Sequence, residues 1–321
     1  MSRINLENFR EELFGGKKFR LVTRSDFDGL VCAVLLKELN ILGDIKFVHP
    51  KDVQDGLVEL SKQDITTNLP YAEGVFLAFD HHFSETLRIT NQPDNHIIDA
   101  DAKSAARVVY DFFGGKEAYP HVSEEMMTAV DKADAALFDK EEVLNPEGWN
   151  LMNFIMDART GLGRFRNFTI SNYDLMMKLI DHCREYSVEE ILQLSDVQER
   201  VKLYFEQQDL FKEMIKRCTK IEGNIIITDL KKEETIYAGN RFIVYAMYPE
   251  CNISIQIMKG FRNQNTVMTV GKSIFNRTSK TNIGELLLRY GGGGHANAGT
   301  CQVAHEEAEK VLSEIIEEIR E

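Results

Sequence analysis

The sequence predicts an α/β chain with a doubly wound, mainly parallel sheet domain at its N-terminal end, a linking helix, and a smaller α+β domain at its C-terminal end. Three observations predict this. In the first half, short apolar runs alternate with segments of helical length, the pattern of a parallel sheet covered by helices. A long charged amphipathic stretch begins at Ser187. Beyond it, strand-like runs follow one another and two helices close the chain. The length, 321 residues, suits about two domains.

The elements follow in order. FRLVTR (19–24) is a short apolar strand, and GLVCAVLLKELNIL (29–42) has helical length with a mainly apolar face. IKFVHP (45–50) is a second strand closed by Pro50, and Asp64 is expected to end a strand running from Leu57. GVFLAFD (74–80) is a continuous apolar run of the kind buried on both faces. AKSAARVVYDFFGG (102–115) is a helix stopped by Gly114 and Gly115, and a second helix covers 124–137. Ser187 and Glu190 form a capping box that opens the link, which runs to about Lys220. Strands are then expected at 224–230, 241–249, 251–260 and 265–274, and helices at 281–289 and 304–320. The expected domains are 1–186, 187–222 and 223–321.

Composition narrows the function. With 43% apolar and 28% charged residues the chain is globular rather than disordered or collagen-like. No apolar run approaches the ~20 residues of a membrane helix. The first fifteen residues lack a signal-peptide core, so a cytoplasmic protein without membrane contact is expected. Five scattered cysteines fit reduced thiols. A net charge of −13 argues against a generic grip on long nucleic acid, so an anionic substrate must be held by local cations. Oligomeric state is not written in these residues.

Three features of the first domain carry chemistry. Asp26 and Asp28 follow the first strand in Asp-Phe-Asp-Gly, where an i, i+2 pair in extended chain points two carboxylates to one side. Asp80-His81-His82 follows the third apolar strand and reaches the same carboxyl edge, where ligands of such sheets sit. Asp131 and Asp134 lie one turn apart on a helix. Carboxylates and imidazoles together suit Mn2+ or Mg2+, and two such ions ~3.5–4 Å apart would clamp a phosphoryl displacement. Taken singly, each feature is also compatible with a turn, a cap or a solvated face. In the second domain, Gly291 to Gly294 and His295 form a turn whose backbone can approach an anion, and Asn276-Arg277-Thr278-Ser279-Lys280 has the composition of a phosphate-gripping loop. Arg159, Arg164 and Arg166 make a loop that is either substrate-facing or structural. His49 reads as structural and Trp149 as an anchor beneath the central connection.

These pieces, in this order, resemble the DHH phosphoesterase superfamily, through Asp-His-His at 80–82 and the Gly-Gly-Gly-His-Ala-Asn-Ala-Gly of 292–299. The resemblance is greatest to the exopolyphosphatase-related branch, relatives of nano-RNase/pAp phosphatases and RecJ exonucleases. It implies that Asp26 and Asp28 each ligate one metal, that His81 ligates the second ion, and that the acidic residue of the fourth motif is a metal ligand, Asp134 fitting best with Asp131 as its rival. An aspartate between the first motif and Asp80 bridges the ions; Asp64 is the choice, against Asp52 and Asp55. Asp80 and His82 orient ligands or touch substrate, so Asp80, His81 and His82 form the catalytic set. Arg277, Ser279, Gly292, Gly293, Gly294 and His295 are assigned to substrate, together with Ser104 and Arg24. Many members carry a histidine two or four residues before the first motif aspartate; here Arg24 and Val22 stand there. The implied activity is a divalent-metal phosphohydrolase with two Mn2+ ions, or Mg2+ in their place. Its substrates would be small ones in an inter-domain cleft: pAp, dinucleotides, short single-stranded oligonucleotides or short polyphosphate. The competing readings are a non-catalytic nucleotide or phosphate sensor and a single-strand-specific exonuclease.

Overall fold

A computed structural model describes residues 14–89 and 91–320. The chain forms two compact units, one running to Leu137 with Glu147–Ala158 and Gly163–Val201, the other made of Phe138–Pro146, Arg159–Leu162 and the chain from Lys202 onward.

The first unit holds a five-stranded sheet of β1 (Phe19–Arg24), β2 (Leu42–Val48), β3 (Asp64–Thr67), β4 (Leu77–Asp80) and β5 (His96–Ile98), in the order β2-β1-β3-β4-β5. Every neighbouring pair is parallel. The order reverses between β1 and β3, the place where α/β sheets open a crevice at their carboxyl ends. Helix α1 (Phe27–Glu38) is buried without a break from Phe27 to Leu36, which explains why its sequence is apolar all round. Trp149 stacks on Phe27 at 5.6 Å between ring centroids, so it anchors this central helix. His49 caps the short helix α2 (Pro50–Gln54) by accepting the Lys51 N–H. Helix α3 (Phe83–Arg88) follows the Asp-His-His run directly. Helices α4 (Ala105–Phe112) and α5 (Glu124–Asp134) start at Ser104 and Ser123, whose hydroxyls accept backbone N–H groups of the first turn.

One expectation about this sheet is reversed. Residues 57–63 form turns and irregular chain, and Leu57 is exposed; β3 begins at Asp64 instead of ending there. The turn chemistry of Ser61 decides this, because its N–H and hydroxyl both donate to Asp64 Oδ2 and stop the chain just before the β-branched run Ile-Thr-Thr.

The stretch expected as a link contains two helices, Val188–Gln193 and Ser195–Cys218, and then β6 (Thr219–Glu222). The division between the units falls within the longer helix. The second unit continues with β7 (Ile225–Asp229), β8 (Ile253–Lys259), β9 (Thr266–Lys272), β10 (Gly293–His295) and β11 (Ala298–Val303). The sheet order is β10-β11-β9-β8-β7-β6, antiparallel except for β7 against β8. Ile225, Ile255, Met268 and Val270 pack in one core with Leu286, Leu287, Ile315 and Ile319 from the helices Ile283–Leu288 and Ala308–Ile319. The segment expected as a strand at 241–249 is a short helix, Ile243–Met247. A buried apolar run of that length fits either state, and the Asn240 side chain accepting the Phe242 N–H turns the chain into the helical one.

Candidate active site

The loops after β1 and β4 and the ends of α4 and α5 build one cluster. After β1, Asp26 accepts the Gly29 N–H at 3.0 Å and caps α1. Gly29 is required there, since a Cβ would stand 2.0 Å from the Arg24 carbonyl oxygen. The cap turns Asp28 inward, where it is almost fully buried. Its two oxygens accept the N–H groups of Ala105 at 2.9 Å and Ala106 at 2.7 Å, at the positive end of α4. His81 follows β4, with Nε2 3.0 Å from Asp134 Oδ2 and 4.0 Å from Asp28 Oδ2. Asp28, His81 and Asp134 thus offer ligand atoms that all lie within 4.8 Å of one another.

Electrostatics shows that this cluster is poised rather than satisfied. Burial and the nearby Asp134 charge push the Asp28 carboxyl up to about 7. Burial alone would lower His81, but contact with Asp134 and the charge of Asp28 outweigh it and raise the imidazole to about 9. Protons therefore fill a place that a divalent cation fits. His81 Nδ1 lies 3.3 Å from the Ala102 carbonyl, which keeps its proton there and leaves Nε2 as the lone-pair atom. That Nε2 is buried and makes no directed hydrogen bond, an orphan expected of a metal ligand. Two carboxylates and one imidazole suit an ion of the Mn2+ or Mg2+ type, and the exposed Asp134 opens the cluster to solvent.

Beside it, Asp80 accepts both the His81 N–H at 2.9 Å and His82 Nδ1 at 2.6 Å through Oδ1. Burial opposes protonation of His82, but the Asp80 contact prevails and its pKa is raised. The His81 and His82 rings are 4.5 Å apart between centroids.

The other expected residues divide. Asp131 is held by Arg107 Nη2 at 2.7 Å and by the Ser104 hydroxyl at 2.7 Å, so Asp134 is the residue that reaches His81. Ser104 itself is completely buried, accepts the Arg107 N–H and donates to Asp131; it positions the helix end that holds Asp28 and is not presented to substrate. Asp64 is not brought to the cluster. It sits at the amino edge of the sheet, in register with Arg20, whose guanidinium it binds at 2.6 and 3.0 Å. Asp52 lies exposed on α2, and Asp55 pairs with Lys51. The residue at the carboxyl end of β3 is Asn68, buried, in left-handed backbone with φ 54°, donating from Nδ2 to Asp26 Oδ1 at 3.2 Å. Sequence reasoning passed over it. The signal was an asparagine ending a β-branched run, a residue that tolerates left-handed backbone. Arg24 binds Asp26 Oδ2 through Nε at 2.9 Å.

In the second unit, the glycine run forms the β10–β11 hairpin, with His295 exposed at the end of β10 opposite Ala298. Gly292 and Gly294 are needed for closure, since a Cβ would meet the Thr300 carbonyl oxygen at 2.4 Å and the Ala298 carbonyl oxygen at 2.3 Å respectively. Gly293 has open space around it. Arg277 is exposed and donates to the Ile274 carbonyl, while Ser279 is buried and accepts the Thr281 N–H. Within the arginine loop, burial pushes the Arg164 guanidinium down. All five cysteines are free, and among the described residues no helix is long and apolar enough to cross a membrane.

No protein-family model matches the chain, and no curated protein matches it. Among solved structures it is similar to the pGpG-specific phosphodiesterase PggH of Vibrio cholerae, with 60% identity over 94% of this chain and 99% of that one and a TM-score of 0.79. It shares its fold with the DHH domain of a protein described as a member of a ribosomal-protein family, at 13% identity over 98% of this chain and 89% of that one, TM-score 0.61. The Asp-His-His run at 80–82, the metal-ligand cluster built on it and a phosphodiesterase relative aligned along nearly the whole length place the chain in the DHH phosphoesterase superfamily, as a metal-dependent phosphoesterase.

Proposed function

We propose that the chain hydrolyses the internal phosphodiester of a linear guanine dinucleotide, pGpG, to two molecules of GMP, acting in the cytoplasm with Mn2+ as its preferred ion. The observation that carries this reading is the convergence of Asp28, His81 and Asp134 in a chain 60% identical to a pGpG-specific phosphodiesterase. These three residues would hold a divalent ion, which would supply Lewis acidity and lower the pKa of water.

The protein's own groups do the rest. The α4 N–H groups and the Ala102 carbonyl fix the orientation of Asp28 and His81. His82, held by Asp80 and raised in pKa, is the proton donor to the departing ribose oxygen. Water adds its oxygen to phosphorus and gives up a proton to solvent, the P–O bond to that ribose breaks, the His82 proton makes the departing oxygen a hydroxyl, and solvent returns a proton to His82. In the second unit, Arg277, His295 and the open backbone at Gly293 are assigned to phosphate recognition.

The test is product release from pGpG, pAp, a short RNA, a longer single strand and polyphosphate, with and without EDTA. GMP from pGpG, lost with EDTA and in Asp28→Ala, is the expected result. Release of mononucleotides along the longer strand would instead favour an exonuclease. No release from any substrate by a folded, metal-loaded chain would leave a sensor.

A further inference from the structure

Asp26 and Asp28 are two residues apart, yet they meet opposite surroundings. Asp28 faces a carboxylate and an imidazole. Asp26 is surrounded by donors: the Gly29 N–H at 3.0 Å, Arg24 Nε at 2.9 Å and Asn68 Nδ2 at 3.2 Å. These partners crowd the lone-pair directions of the carboxylate that a metal ion would need. One partner is a fixed positive charge, which repels a dication placed against the same oxygens. At the end of β3, Asn68 offers Asp26 a neutral amide in place of a carboxylate.

Arg24 meanwhile keeps groups in reserve. Its only ion pair or hydrogen bond among the described residues runs through Nε, so both Nη groups remain available, and the side chain is one-third exposed. It also belongs electrostatically to the metal cluster. Partial desolvation at the cluster would raise Asp134, but the contact with His81 and the charges of His82 and Arg24 hold that carboxyl below its usual range.

We propose that this active site works with a single divalent ion, on Asp28, His81 and Asp134, and that the Arg24 guanidinium, held through Nε by Asp26, takes the place of a second ion and binds the phosphate through its Nη groups. A guanidinium matches two phosphate oxygens at once, which a spherical ion does not impose. The substrate half of this inference rests on the phosphodiesterase reading; the ion count does not.

The experiment uses the full chain, stripped with EDTA and titrated with Mn2+, with stoichiometry read by native mass spectrometry and by electron paramagnetic resonance. One ion per chain with an uncoupled six-line spectrum is expected for the wild type and for Arg24→Ala. Two ions with an exchange-coupled spectrum in the wild type would overturn the proposal, whether or not the protein turns over pGpG. In a second arm, inorganic phosphate is the probe for the Mn2+-loaded chain. Arg24→Ala should weaken phosphate at least tenfold, with partial recovery on adding guanidinium; unchanged affinity would overturn the role of Arg24. In a third arm, a folded Arg24→His/Asn68→Asp variant should take up a second ion, and a folded variant that still binds one would show that these residues are not what excludes it. The first two arms decide if that variant does not fold.

Discussion

The two edges of the first sheet each bury an aspartate, Asp64 at the amino edge and Asp28 near the carboxyl edge, with 1% and 2% of their surface exposed. At the amino edge Arg20 forms a two-pronged pair with Asp64 and Ser61 adds two donors, so the charge is matched where it lies. At the carboxyl edge Asp28 has two backbone donors but faces Asp134, and its carboxyl is pushed up to about 7. Burial is common to both, so it does not distinguish a structural acid from a functional one. The distinction is whether the charge has been matched by the protein itself or left for a ligand to match.

The largest effect should come from Asp28. Asp28→Ala is expected to cost about a thousandfold or more in kcat/KM and to abolish Mn2+ binding, measured by steady-state kinetics and calorimetry. In the metal-free chain, Asp28→Asn should lower the melting temperature less than Asp64→Asn does, because the loss of one acceptor for the Ala105 and Ala106 N–H groups is offset by removal of a charge that burial and Asp134 oppose. A larger fall than in Asp64→Asn would break the contrast between the edges. Asp64→Asn should lose about 2 kcal/mol in denaturant unfolding while kcat/KM of the folded chain stays near wild type. Loss of metal binding in that variant would return Asp64 to the site.

The contrast can be sharpened within one helix. Asp134→Asn should weaken Mn2+ by about a hundredfold or more, while Asp131→Asn should act on stability by about 1–2 kcal/mol through Arg107 and Ser104. Smaller still is the effect of pH. With His81 at about 9 and Asp28 at about 7 in the metal-free cluster, both hold protons near neutrality that an ion must displace. Apparent Mn2+ affinity should therefore rise from pH 6 to pH 8, about tenfold per unit for each proton released. Calorimetry in buffers of different ionisation enthalpy would report that release, and a pH-independent affinity would contradict the protonated cluster.

Much of this was legible along the chain. The alternation of apolar runs and helical segments carries the parallel sheet, and Asp-Phe-Asp-Gly and Asp-His-His stand where strands end, because a strand and its following ligand are contiguous in sequence. A local signal also names Ser187 with Glu190 as a capping box, which the structure forms. What failed was of another kind. The segment 241–249 became a helix since a short buried apolar run has no period of its own. Asp64 was given the wrong end of its strand because the Ser61 turn that stops the chain leaves no mark in the hydrophobic pattern.

The sequence by itself therefore determined the fold class, the ligand types and the strand ends from which Asp28 and His81 reach the site. Only the tertiary structure decided that Asp134 rather than Asp131 joins them, that Asn68 rather than Asp64 stands beside Asp26, and that Arg24 neutralises Asp26. The physical reason is that composition and spacing specify which groups a chain carries, whereas the pairing of one charge with another depends on distance across elements far apart in sequence.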